Sequence, residues 1–183
     1  MATILLRGDW MKLFAGKIDS LAHDIVSSLT TSEAIEVSDE MFHEVVEDVA
    51  AIFKEYIRTD REITERARDI IASQHKSPSD LKRIRLQLAK ERNFGIEEEA
   101  IEYLIRQIIE TLMYSKHVEE VYAMDNEIAV LVRPLLEKAL NADEELEAEV
   151  RRRIKNLQEG TLAWEIQHRK IREELKRARR LEE

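Results

Sequence analysis

Two Glu-x-x-His spacings, Glu40 with His43 and Glu165 with His168, are the residues of this chain best suited to chemistry. On a helix the three-residue step puts a carboxylate and an imidazole on one face. Four-helix di-iron sites use two such motifs, with a Glu from each remaining helix. In a chain this rich in Glu, about one such pair is expected from composition alone. A helical di-metal centre is therefore only the third reading of function, and no residue is assigned as a metal ligand. His23, His75 and His117 lack a nucleophile-and-base pattern, and without Cys the available nucleophiles are Ser and Thr. Four glycines supply no Gly-x-Ser-x-Gly elbow, phosphate loop or dinucleotide turn. The acidic runs Glu97 to Glu99 and Glu144 to Glu145 suit solvated, positive helix starts better than paired-carboxylate catalysis. No catalytic residue and no cofactor is expected, and the protein is read as a non-enzyme.

The basic residues are the other candidates. Net charge is −9, but residues 76–95 carry +4 and residues 151–183 carry +5 against acidic stretches of −7 (1–75) and −11 (96–150). The first basic group is Lys76, Lys82, Arg83, Arg85, Lys90 and Arg92. The second contains Arg151, Arg152, Arg153 and Lys155 and ends in Arg169, Lys170, Arg172, Lys176, Arg177, Arg179 and Arg180, the expected interaction surface. Such helices either pack as charge-matched faces beside acidic ones or bind phosphate by displacing counterions from RNA or DNA. Overall acidity and the lack of a base-reading motif favour the first.

These residues must be positioned by helices. Charged residues make up 37% of the 183-residue chain and aromatics 5%, with two prolines, too little turn material for a sheet. An offset of 83 positions places Ile18 on Ile101, Leu21 on Leu104, Ile25 on Ile108 and Leu29 on Leu112. It also places Met41 on Met124, Glu44 on Glu127 and Arg68 on Arg151. In this register His43 matches Asn126 and His168 matches Arg85, so the two Glu-x-x-His pairs are not equivalent. The expectation is an all-α fold of about eight helices in two similar four-helix repeats, residues 11–95 and 96–183, the second ending in a basic helix. Residues 1–10 form an N-terminal extension.

In the first repeat, apolar periodicity predicts a helix over 10–30, a second from a cap at Ser38 through Phe53, and a third opened by a Thr59–Glu62 capping box. A fourth begins at Ser77–Pro78 and is closed by Gly95. The second repeat follows suit, with Pro134 predicting a kink or a delayed start, Asn141 or Asp143 capping the third helix, and Gly160 at the break before the last. Trp164 aligns with Leu81 and is read as a core residue; Trp10 is either exposed or a staple.

The run Met11 to Asp19 followed by Leu21, Ala22, Ile25 and Val26 resembles the opening of the bacterial domain of unknown function 507 family. Gln87 to Arg92 resembles its basic, alanine-containing close, and Asp143 to Leu146 its acidic start before that close. The resemblance covers most of the chain from Met11 onward, in two tandem copies. It implies a small intracellular helical protein, with no established activity and no site residues to carry over. No apolar stretch is long enough to span a bilayer, the short Ile4 to Leu6 run is no signal peptide, and the absence of Cys fits a reducing compartment, so the cytoplasm is expected. The first reading of function is a helical module that binds a protein partner or a second copy of itself. Nucleic-acid or ribosome association through the basic helices is the alternative, and no membrane partner is expected.

Overall fold

The computed structural model describes residues 13–154, 156–158 and 161–179. The expected extension with Trp10, together with Met11, Lys12, Lys155, Gly160 and Arg180, lies outside the described residues. The fold is mostly helical. Among the described residues there are seven α-helices: α1 (Ile18–Thr31), α2 (Phe42–Ser73), α3 (Leu81–Glu91), α4 (Ala100–Tyr114), α5 (Asp125–Leu140), α6 (Ala142–Arg153) and α7 (Leu162–Arg179). A two-residue antiparallel ribbon joins β1 (Ile35–Glu36) to β2 (Glu120–Val121), with Ile35 opposite Val121.

The count falls short of eight because α2 is one continuous helix of 32 residues where two were expected. Thr59 and Glu62 lie in its interior, and the Thr59 hydroxyl reaches the Glu55 carboxylate at 3.3 Å instead of capping anything. Burial of Phe53 and Tyr56 before the capping signal and of Ile63 and Ala67 after it, with Asp60 held by Arg85 between them, outweighs that signal. In the second half the same length is divided, because α5 stops at Leu140 and α6 starts after Asn141. Asn141 makes no side-chain cap there. Pro134 neither delays α5 nor ends it; the helix starts at Asp125, where the Glu127 carboxylate accepts the Met124 N–H at 2.8 Å, and runs through the proline. Ser77 caps as expected, its hydroxyl accepting the Ser79 N–H ahead of α3.

Three helices end in the same way without glycine. Beyond α1, α2 and α3, Glu33, His75 and Asn93 take φ values of 56°, 49° and 52°. The next residue's N–H then reaches back to close the last turn: Ala34 to Leu29, Lys76 to Ile71 and Phe94 to Ala89, at 2.9, 3.0 and 2.9 Å. Asn93, rather than Gly95, therefore closes α3. Gly95 serves another purpose, since a Cβ there would lie 2.4 Å from the Tyr103 Cβ and 2.6 Å from the Glu99 carbonyl oxygen.

The main core takes residues from both halves, among them Ile25, Leu29, Phe53, Ile63, Leu104, Ile108, Ile128 and Leu136. Helix α1 packs on both α2 and α5, and α4 on the same two. A smaller second core lies between α6 and α7 and holds Phe14, Leu146, Val150, Ile154, Trp164 and Leu175. Leu13 belongs to the main core and its neighbour Phe14 to the second.

One charge sits at the junction of α2, α3 and the start of α4. Arg85 is 3% exposed and reaches Asp60 at 2.6 Å and Glu97 at 3.4 Å, while Lys82 approaches Glu97 from outside at 3.6 Å. Beside it Tyr56 donates to the Gly95 carbonyl at 3.1 Å and stacks with Phe94 and Tyr103. Burial pushes the Tyr56 hydroxyl far above its ordinary pKa, so it stays a donor. Arg85→Ala should cost about 3–5 kcal/mol in urea unfolding, because it strands two partly buried carboxylates; a loss below about 1 kcal/mol would deny the cluster that role. Gly95→Ala should cost about 1–3 kcal/mol by the same measurement, through overpacking against Tyr103.

Candidate functional site

The two Glu-x-x-His pairs do not converge. Glu40 and His43 lie exposed at the start of α2. His168 turns away from Glu165 to place its Nε2 2.9 Å from the Glu147 carboxylate of α6, where its ring stacks on Trp164 at 4.7 Å between centroids. Among the described residues no group of three or more His, Asp and Glu is arranged to hold a metal ion.

The basic surface divides. Arg172 binds the same Glu147 through its Nε, and Lys176 lies over the Phe14 ring at 5.6 Å, so both fasten α7 to its own chain. Arg179 is half-buried and lends its charge to Glu149, which Arg152 and Arg153 also bind. Arg169, Lys170 and Arg177 are exposed. In the first half Lys82, Arg83, Arg85 and Arg92 all contact carboxylates of this chain. Four of the six basic residues of the 76–95 group therefore act as charge-matched faces.

A Ser, an Asp and a His do meet, at the end of α4. The Asp48 carboxylate accepts the Ser115 hydroxyl at 2.7 Å and faces His117 Nδ1 at 2.9 Å, and Ser115 Oγ accepts the His117 N–H at 3.1 Å. Nucleophilic catalysis needs the serine on the imidazole, with the carboxylate behind it. Here the carboxylate lies between the two. The cluster ties the loop leading to β2 onto α2.

A surface depression lies beside the ribbon, with Tyr122 in its lining. An open groove of about 490 Å³ runs between the turn after α1 and the first two turns of α5, lined by Ser32, Glu33, Ala34, Tyr122, Ala123, Asn126, Glu127, Val130 and Leu131. Its apolar walls face solvent, with Tyr122 62% and Val130 71% exposed. The Glu36 carboxylate accepts the Tyr122 hydroxyl and orients the ring. Pro134 has no N–H to give the Val130 carbonyl four residues earlier. Two carboxylates, Glu33 and Glu127, are the only charges in the lining. Sequence reasoning missed this site, although one signal was present: Val130 and Leu131, adjacent apolar residues, match the acidic Glu47 and Asp48 in the 83-residue register.

Glu147 carries a testable pH dependence. Partial burial acts to raise its pKa, but the hydrogen bonds from His168 and Arg172 and the Arg172 charge outweigh it and hold the carboxyl below the usual range. A carboxyl whose pKa is lowered by folding stabilises above its unfolded pKa, and that stability is lost as pH falls through the folded value. In a Trp10→Phe background, Trp164 fluorescence should report loosening of the α6–α7 pair in acid, below the ordinary carboxylate range. Glu147→Gln should flatten that part of the profile, and an unchanged acid transition would exclude this pair as its source.

Among the described residues, no helix is long and apolar enough to cross a membrane. No curated protein matches the chain. A family model described as "Protein of unknown function (DUF507)" matches residues 11–181 once. The match runs across both halves, so the chain is a single copy of the family and not two tandem copies. The resemblance carried by Met11 to Asp19 and Gln87 to Arg92 thus has its answer: this chain belongs to the DUF507 family of proteins of unknown function.

Proposed function

We propose that the protein is a non-enzymatic helical interaction module whose binding face is the groove walled by Tyr122, Val130 and Leu131. The observation that carries this reading is that the apolar side chains of Tyr122 and Val130 are left facing solvent beside carboxylates, in a chain that pairs four of the six basic residues of its 76–95 group internally. Apolar walls with an acidic rim suit an amphipathic helix bearing Lys or Arg beside its apolar stripe. A reducing intracellular setting goes with this proposal, supported by the absence of Cys.

We also infer that the family unit is itself an internal duplication. The 83-residue register puts the start of α2 on the start of α5, and the packing of α1 on α2 and α5 on that of α4 on α5 and α2. It carries the ribbon onto itself as well, for Glu36 pairs with Glu120, the residue matching Val37. An antiparallel pairing of this kind fits a two-fold relation between the halves. In the same register the groove corresponds to the Ser115, Asp48 and His117 cluster, since Ser32 matches Ser115, Ala34 matches His117 and Leu131 matches Asp48. One niche is closed by its own polar network and its counterpart is open.

A second reading rests on Arg169, Lys170 and Arg177, exposed on α7 and able to meet phosphate. Recovery of tagged protein from lysate, with and without nuclease, separates the two. The groove reading expects a protein that survives nuclease and is lost with Val130→Lys, a solvent-facing change that leaves the core intact. Retention indifferent to Val130→Lys counts against it. Nucleic acid lost when Arg169, Lys170 and Arg177 become Glu would establish the second reading instead.

A further inference from the structure

We infer that the occupant of the groove is α7 of a second copy of this chain, docked head to tail; this rests on the groove being a binding face, as proposed above. The inner side of α7 is spent on the second core through Trp164, Ile171 and Leu175, together with His168 and Arg172. Its outer side carries Leu162, Ile166, Arg169, Lys170 and Arg177, spaced by four, seven, eight and fifteen residues from Leu162, which is one helix face. Leu162 is 72% exposed and Ile166 57%. Glu173 shares this face and leaves it net positive.

The two surfaces are complementary in order as well as sign. On α7 two aliphatic side chains one turn apart precede the cations. In the groove the aliphatic wall of Val130 and Leu131 adjoins Glu33 and Glu127, with Glu36 and Glu120 next along the ribbon. Leu162 and Ile166 would fill the trough while Arg169 and Lys170 meet the carboxylates. The groove is open to solvent and does not enclose a small molecule. Groove and helix lie on different elements, so the contact is heterologous: each copy offers one of each, and assembly continues from copy to copy until it closes or chains.

Sedimentation velocity on the purified full-length chain tests this without any other partner. Wild type should show concentration-dependent species larger than a monomer, weakened by salt because the rim charges are exposed. Val130→Lys spoils only the groove, and Ile166→Glu with Lys170→Glu spoils only the helix; all three positions are solvent-facing, and circular dichroism verifies folding. Each variant alone should be monomeric, its apparent association weakened at least about tenfold. Mixed, the two should form a 1:1 dimer and nothing larger, since one intact groove then meets one intact helix. A wild type that is monomeric to roughly 0.1 mM, an affinity below about 5.5 kcal/mol, overturns self-docking. So does a mixture that fails to dimerise, or oligomers untouched by either variant. Such a failure combined with loss of a lysate partner on Val130→Lys would leave the groove as the binding face and assign it to another protein.

Discussion

The constraint on which the rest of the fold depends is a charge that has been taken out of water. Arg85 points inward from α3, and a buried guanidinium is tolerable only with carboxylates held at bonding distance. Asp60 comes from the middle of α2 and Glu97 from the turn that opens α4. Satisfying Arg85 therefore fixes three elements relative to one another. The same junction is crowded: Gly95 must lack a side chain so that the chain can pass the Tyr103 side chain and the Glu99 carbonyl of the segment it leads into, and Tyr56 donates to the Gly95 carbonyl. Asp60 presents its carboxylate to Arg85 from within the unbroken stretch of α2 that crosses Thr59.

The α6–α7 pair is joined by different chemistry. His168 stands where Arg85 stands in the 83-residue register, and it takes its carboxylate from Glu147 on the adjoining helix. An imidazole stacked on Trp164 is a weaker organiser than a permanently charged guanidinium with two partners. The chain breaks at Asn141, and α6 and α7 form a small core of their own instead of merging with the main one. The α6–α7 pair is thus joined through Glu147, bound to both His168 and Arg172, and the α2–α3 junction through Arg85, bound to Asp60 and Glu97.

Most helices were legible because apolar residues at three- and four-residue spacing are dictated by burial of one face, and those patterns survive in α1, α3, α4 and α7. What could not be read was anything set by contacts distant in sequence. The capping box at Thr59 is a sound local signal that burial on either side of it overrides. Gly95 looked like a helix stop, but Asn93 takes the left-handed turn and the glycine answers to Tyr103 instead. The two-residue ribbon has no periodicity to detect. The basic tail was visible as charge, while its division into Arg172 and Lys176 facing inward and Arg169, Lys170 and Arg177 facing outward depends on where Glu147 and Phe14 lie. The groove escaped notice because its walls come from segments far apart in the chain.

Leu13 and Phe14 have a consequence for the order in which the protein is made. These adjacent residues face different cores, and Phe14 finds its neighbours in Leu146, Trp164 and Leu175 near the opposite end of the chain. A ribosome delivers Phe14 well before those partners, so the second core cannot close until Leu175 has been made. Closing so long a loop is slow but costs little extra free energy once the intervening helices have folded and shortened it. The burial of one early phenylalanine therefore waits until the chain has been made as far as Leu175.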